Sequence, residues 1–238
     1  MSTYAVMQPY FLPYLGYWQM LNAVDHFVIY DDVQFSKGGY VNRNKLLGSK
    51  GPQWVTLSLE KSSLKTTIAQ KRLDTIRLQN LEGQVESILK NQYREFEFLE
   101  DAWIWWQELM SLGSGIFLGD YLLNQIEWVK QRLDISTDIQ LSSSLQLSRD
   151  GGRVAPLLDC GSKVGSKDYV NSPGGMSLYK AQDFSENGFQ LHFFHPQLDS
   201  VSVDWNGEAV CLSILDNIAR LGEERVRELV KFGSIVKA

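Results

Sequence analysis

Short apolar runs alternate with segments of helical spacing along most of this chain, and the runs have the length of buried strands. The six candidate strands are mostly separated by helices and lie at Thr3–Gln8, His26–Asp31, Gln53–Leu59, Thr137–Leu141, Asp168–Asn171 and Phe189–Phe194. A short helix at Gly16–Ala23 joins the first two strands in a compact βαβ unit, which is typical of adjacent parallel strands. The pattern therefore predicts an α/β fold built on a Rossmann-like parallel sheet.

Between residues 75 and 133 the apolar positions recur at helical spacing with no intervening strand. Three amphipathic faces follow one another there, at Ile76–Leu89, Leu99–Met110 and Leu122–Leu133. We interpret residues 75–133 as a helical insertion or subdomain within a single domain of residues 1–238. Further helices are predicted after this segment, at Gly152–Cys160 and, as C-terminal helices, at Ala209–Arg220 and Glu223–Lys231.

Composition and charge narrow the class of protein. A hydrophobic fraction of 44% indicates a globular chain with a core, and a formal net charge of −5 argues against a nonspecific DNA binder. No signal-peptide pattern and no apolar stretch of about 18 residues is present, so we expect a cytoplasmic protein without a membrane span. Cys160 and Cys211 are expected to be reduced and buried, and no Cys/His cluster suggests a metal site.

The densest candidate chemistry follows the first predicted strand. Pro9 and Pro13 stiffen a loop at that strand's carboxyl end, where α/β proteins build ligand sites. We predict that substrate is bound here by polar aromatic rings, an amide and a glycine that admits a ligand: Gln8, Tyr10, Tyr14, Gly16 and Tyr17. The alternative is a proline-stiffened connector with tyrosines packed beneath it.

Two carboxylates and one arginine are the catalytic candidates. Asp31 and Asp32 end the second predicted strand, where alternation would point them to opposite faces, and either could bind or deprotonate a substrate amine. Arg43 could clamp a phosphate or carboxylate, with Asn42 and Asn44 as substrate-binding neighbours. The alternatives are a solvated strand end or helix cap for the carboxylates, and a salt bridge from Arg43 to one of them.

A second polar loop follows the strand at Asp168–Asn171. Backbone amides around Asn171, Gly174 and Gly175 could cradle an anion, with Tyr179 beside them, although a plain turn is the alternative. The loop matches neither a Walker motif nor a Gly-x-Gly-x-x-Gly fingerprint. Ser142–Ser144 follows the strand at Thr137–Leu141 in the same way.

Several motifs together resemble the WbqC-like protein family. They are Met7–Tyr17, Asp25–Phe35, Asn42–Asn44, Tyr169–Tyr179 and Leu212–Asp216, which lie in order over nearly the whole chain. The resemblance implies a bacterial protein of O-antigen (lipopolysaccharide) or other surface-polysaccharide biosynthesis, and suggests glycine transfer to an amino sugar. It implies no set of catalytic residues. This sequence departs from the family pattern at Tyr40, where Trp is usual, and at Asp204–Asn206.

Three hypotheses follow, and the first is a transferase that adds a glycyl or other acyl group to the amine of a small-molecule nucleotide or amino sugar. The cofactor or acyl donor could be ATP, acyl-CoA or an aminoacyl donor, and an amino acid could be the co-substrate. A homodimer is a possible assembly. The second is a noncatalytic nucleotide-sugar binding protein, because the first βαβ unit is similar in layout to HIGH-motif nucleotidyltransferases but lacks their histidines. The third, a metal-dependent hydrolase, rests only on Asp31, Asp32 and scattered histidines.

Overall fold

The computed structural model describes residues 2–112 and 117–238. In chain order the elements are β1 (Thr3–Met7), α1 (Leu15–Ala23), β2 (His26–Ile29), β3 (Arg43–Gly48), β4 (Gly51–Thr56), α2 (Thr75–Gln92), α3 (Leu99–Ser111), α4 (Leu118–Arg132), β5 (Asp138–Leu141), α5 (Ser142–Leu145), α6 (Ala155–Val164), β6 (Asp168–Asn171), α7 (Ala181–Ser185), β7 (Gln190–His195), β8 (Val203–Trp205), β9 (Glu208–Val210), α8 (Ile214–Leu221), α9 (Glu223–Leu229) and β10 (Ser234–Lys237). A 3₁₀ turn at Pro173–Gly175 follows β6.

The central sheet has six strands in the order β10-β7-β6-β1-β2-β5. Five of them are parallel, and β10 pairs antiparallel with β7 at one edge. From β1 the chain builds outward through β2 to β5, then returns to the other side of β1 and builds β6 and β7. The predicted Rossmann-like α/β fold is confirmed, and its topological switch point lies between β1 and β6.

The two faces of the sheet carry separate apolar clusters, because successive strand residues point to opposite sides. Tyr4, Val6 and Val28 pack with α6 and α7 on one face. Ala5 and Phe27 pack on the other face, in a larger cluster that includes α1, α2, α3, α4, α8 and α9. The sheet is therefore covered by helices on both sides, as a mainly parallel sheet requires.

The three helices predicted between residues 75 and 133 are present as α2, α3 and α4. The side chains of Trp105 and Trp106 are buried on α3, which packs against α8. The indole Nε1 of Trp105 donates to Glu223 at 2.8 Å. These helices thus share a core with the sheet, and their origin as an insertion in a single domain stays a prediction.

Several element assignments differ from the sequence pattern. The strand predicted at Gln53–Leu59 is β4, which pairs with β3 in a separate hairpin and not with the central sheet. The helix predicted from Ala209 begins only at Ile214, because residues 208–210 pair with β8 in a second hairpin. Strands β3, β8 and β10 were not predicted, and β10 forms one edge of the central sheet. Local alternation identifies a strand but does not identify the strand that pairs with it.

No helix in residues 2–112 and 117–238 is both long enough and apolar enough to cross a bilayer.

Candidate functional site

The loops after β1 and β6 meet at the switch point and enclose a cavity of about 520 Å³, which we call the switch-point cavity. Its walls come from five parts of the chain: Met7, Tyr10 and Tyr14; Tyr40 and Lys45; Ser172, Pro173 and Gly174; Pro196; and Ala209, Val210 and Cys211. The volume lies within the range of small-molecule sites, about 300–1,000 Å³, and the position is where open α/β sheets bind ligands.

Tyrosine rings form the aromatic wall of the switch-point cavity. The ring of Tyr10 lies 5.6 Å from that of Tyr17 and 5.8 Å from that of Tyr40. Tyr17 is buried beneath this wall and does not line the cavity. Burial raises the pKa of Tyr14 to about 12 and also raises that of Tyr10. Both hydroxyls are therefore protonated at neutral pH and suit hydrogen bonding better than proton abstraction.

Asn44 anchors the loop that carries these tyrosines. Its buried amide donates to the carbonyls of Phe11, at 3.1 Å, and Leu12, at 2.6 Å, and its Oδ1 accepts from the Lys45 amide. Leu12 has a φ of +46°, a left-handed conformation that is unfavourable for a branched side chain. The Asn44 contacts offset that strain, so this predicted substrate-binding residue uses its polar atoms to position the loop.

Gly16 and Gln8, which were predicted to bind substrate, do not line the switch-point cavity. A Cβ on Gly16 would stand 2.5 Å from Cε2 of Tyr14, so this glycine makes room for the Tyr14 ring at the start of α1. Gln8 is half-buried, and its carbonyl accepts a long hydrogen bond of 3.4 Å from the Tyr17 hydroxyl.

The loop after β6 forms the opposite wall. Asn171 is buried, and its Oδ1 accepts from the Ser172 amide at 2.8 Å, which fixes the turn. A Cβ on Gly175 would overlap the Asn171 side chain, whereas Gly174 is open and lines the cavity. Tyr179 lies elsewhere, because its ring packs against Tyr169 and Phe184 in the cluster on the α6 and α7 face.

Asp31 and Asp32 lie at the ends of β2 and β5, in a carboxylate cluster with Ser142, Ser143 and Arg149. The buried Asp31 carboxylate accepts from the Ser143 amide at 2.9 Å, the Ser143 hydroxyl at 2.6 Å and the Ser142 hydroxyl at 3.0 Å. Asp32 contacts the Ser142 hydroxyl and pairs with Arg149 at 2.6 Å. The expectation that the carboxylates point to opposite faces is wrong, because β2 ends at Ile29 and both follow it.

Arg43 does not pair with either aspartate. Its Nε donates to the Gly39 carbonyl at 3.1 Å, its Nη2 contacts the Gly38 carbonyl, and its guanidinium lies 4.0 Å from the centroid of the Trp54 ring. The Asn42 amide donates to the Leu57 carbonyl at 2.8 Å. Arg43 and Asn42 line a different cavity, described below, and neither lines the switch-point cavity.

Of the predicted site residues, Tyr10, Tyr14 and Gly174 line the switch-point cavity together. The catalytic candidates Asp31, Asp32 and Arg43 do not line it. Sequence reasoning missed Lys45 and Cys211 as wall residues. Lys45 alternates with the buried Asn44 and Leu46 along β3, which could have identified it as a side chain on the opposite face. Within the described residues, no group of three or more His, Cys, Asp or Glu side chains could hold a metal ion.

The fold and the cavity define an α/β protein with a ligand-sized crevice at its switch point. The model of the WbqC-like protein family matches residues 8–228, and the chain belongs to that family. It is 27% identical over 232 residues to "Uncharacterized protein Rv1507c" of Mycobacterium tuberculosis (strain ATCC 25618 / H37Rv), covering 94% of this chain and 96% of the relative. No solved structure matches the chain.

Proposed function

We propose that the switch-point cavity binds an amino sugar in nucleotide-activated or phosphorylated form, and that the protein transfers a glycyl or other acyl group to its amine. The observation that carries this proposal is the lining of Tyr10, Tyr14, Tyr40 and Lys45 around about 520 Å³ at the switch point. Aromatic faces suit the apolar C–H surface of a sugar ring, their hydroxyls suit its polar edge, and an ammonium group suits a phosphate. The family resemblance to proteins of O-antigen-type polysaccharide biosynthesis points to the same substrate class.

The reaction requires a neutral amine at a fixed distance from an activated carbonyl carbon. The amine nitrogen bonds to that carbon, the bond to the donor's leaving group breaks with its electron pair, and the nitrogen loses one proton to a base. Asp32 is our candidate for the base, because its side chain is 27% exposed, although it contacts Ser142 and pairs with Arg149, whereas Asp31 is buried. Asp32 does not line the switch-point cavity, so this role requires an acceptor whose amine extends beyond that cavity to the ends of β2 and β5. Asp31 then has the role of positioning α5 and Ser142.

A noncatalytic sugar-binding protein is the second candidate. The described residues that line the switch-point cavity include no carboxylate and no histidine, and burial raises the pKa of Tyr10 and of Tyr14, which keeps both hydroxyls protonated. A site of this composition can bind and orient a ligand without a proton acceptor of its own.

Binding is tested first, by thermal unfolding of the purified protein with nucleotide-activated amino sugars, free amino sugars and amino acids. Ligand at a hundredfold excess over its Kd should add about 2.7 kcal/mol to the free energy of unfolding. The stabilisation should be lost in Tyr14→Ala and kept in Tyr179→Phe, a tyrosine on the other face of the sheet. The proposal fails if no amino sugar stabilises the protein, or if Tyr14→Ala is stabilised as strongly as wild type.

Turnover then separates the two candidates. Labelled glycine, supplied as an ATP-dependent, thioester or aminoacyl donor, should appear in the amino sugar as an amide with wild type. Asp32→Asn should lower this rate by about 10²–10⁴-fold while binding persists. Binding by wild type with no amide product from any of the three donors would support the noncatalytic protein.

A further inference from the structure

A second cavity lies beside the β3–β4 hairpin and has a basic lining. It has a volume of about 620 Å³, and four of its lining residues are cations, Lys37, Arg43, Lys61 and Lys71. We call it the basic cleft. It shares no lining residue with the switch-point cavity. This local charge stands out on a chain whose formal net charge is −5.

Ion pairing within residues 2–112 and 117–238 does not neutralise these four cations. None of them forms a salt bridge in the part of the chain that the structure describes. Glu60 is the acid among the described lining residues, and its carboxylate pairs with Arg72 at 3.2 Å. A concave surface with several unpaired cations concentrates anions from solution.

Lys71 is the most informative of the four, because this residue is only 7% exposed. Its Nζ contacts the Ser62 hydroxyl and lies 5.2 Å from the centroid of the Phe35 ring. An ammonium group has three N–H donors, so Ser62 leaves two without an acceptor among the described residues. Burying a charge in this way is costly unless an anion compensates it. An anionic ligand in the basic cleft would supply that compensation.

Both sides of the cleft are preorganised. The backbone of Lys71 is fixed by its amide, which donates to the Thr67 carbonyl at 3.1 Å, and by its carbonyl, which accepts from the Leu118 amide at 2.8 Å. On the other side the Arg43 guanidinium is held by two backbone carbonyls and by the Trp54 ring, none of which cancels its charge. Fixed, unneutralised donors lower the entropic cost of binding an anion.

We propose that the basic cleft binds linked phosphate groups, as carried by a nucleoside di- or triphosphate. Four cations exceed the charge of one monophosphate, and a planar guanidinium suits phosphate oxygens in bidentate fashion. Phe35 and Leu59 also line the cleft, and Leu64 stands at it 75% exposed, so apolar surface is available for the organic part of the ligand.

Isothermal titration of the full chain at low salt, with pyrophosphate, ATP, UDP and AMP as separate probes, tests this site. Pyrophosphate should bind, and Lys71→Gln and Lys61→Gln should each weaken it by about tenfold, the effect of one charge-assisted contact. Lys65→Gln is the matched control, since Lys65 lies in the same exposed segment as Lys61 but does not line the cleft. This substitution should change the Kd for pyrophosphate by less than about twofold. Tighter binding of ATP or UDP than of pyrophosphate would show that the apolar wall contributes.

Stability without ligand gives an independent readout. If Lys71 is kept for a ligand, Lys71→Gln should unfold at the same or a higher urea midpoint than wild type, because a buried charge is removed. The proposal is overturned if pyrophosphate and the nucleotides fail to bind at millimolar concentration. It is also overturned if Lys61→Gln and Lys71→Gln bind as wild type does, or if Lys71→Gln unfolds earlier while Lys61→Gln keeps full affinity. None of these outcomes depends on an amino sugar in the switch-point cavity.

Discussion

Replacing Tyr93 by Phe should destabilise the protein, because Asp216 of the Leu212–Asp216 motif has a structural role as the hydrogen-bond acceptor of the Tyr93 hydroxyl. The buried Tyr93 hydroxyl, at the end of α2, donates to the Asp216 carboxylate at 2.8 Å and accepts from the Leu47 amide of β3 at 2.8 Å. Asp216 is also buried, and Arg220 donates to it at 2.8 Å. One hydroxyl therefore joins α2, α8 and the β3–β4 hairpin, which contributes Lys45 to the switch-point cavity.

The magnitude follows from what Phe leaves behind. The substitution removes one hydrogen bond to a charged group and leaves the Leu47 amide without its acceptor. A charge-assisted hydrogen bond contributes about 1.5–3 kcal/mol, and an unsatisfied buried group costs about 1–3 kcal/mol. Because neighbouring effects are not additive, we expect Tyr93→Phe to lower the free energy of unfolding by about 3 kcal/mol. In a chain of this size that corresponds to a fall in Tm of about 6–12 °C.

Urea unfolding followed by circular dichroism measures this change, and the m value should stay as in wild type. Tyr40→Phe is the matched control, since Tyr40 is 38% exposed, and it should change the free energy of unfolding by less than about 0.5 kcal/mol. In a double-mutant cycle, Tyr93→Phe and Asp216→Asn should couple by about 1 kcal/mol or more. A loss below about 0.5 kcal/mol in Tyr93→Phe would refute the structural role.

Two further predictions concern the walls of the switch-point cavity. N-ethylmaleimide should label Cys211, which lines the cavity, before Cys160, because burial raises the pKa of the Cys160 thiol to about 12. Burial also raises the pKa of Cys211, so the rate at which Cys211 is labelled should rise about tenfold per pH unit near neutrality. Equal labelling of both thiols in peptide mass spectra would contradict this. Gly175→Ala should lower the free energy of unfolding by about 1–3 kcal/mol, because its Cβ overlaps Asn171, whose Cγ is 2.8 Å away. In Gly174→Ala the added Cβ has its nearest neighbouring atom at 3.9 Å, so the free energy of unfolding should stay within about 0.5 kcal/mol of wild type. Similar urea midpoints for the two variants would show that Gly175 is not needed to make room for the Asn171 side chain.

The sequence determined the local elements and the edge of the sheet at which the candidate site lies. Strand alternation and helical spacing depend on neighbours a few residues apart, so β1, β2, β6 and the helices between residues 75 and 133 could be predicted. The proline-rich loop after β1 and the Ser-Pro-Gly-Gly turn after β6 could also be assigned to one edge, because parallel strands end together there. Tyr10, Tyr14 and Gly174 accordingly lie around one cavity.

Only the tertiary structure decided what each polar side chain contacts. Asp31 contacts Ser142, which is 111 positions further along the chain, and Asp32 pairs with Arg149, so neither aspartate pairs with Arg43. Such partners lie on strands and loops that become neighbours only when the sheet order is set. The burial of Lys71 and the pairing of β10 with β7 are decided in the same way. Periodicity reports which face a side chain occupies, whereas the free energy of a polar group depends on distant residues that the fold brings within hydrogen-bonding distance.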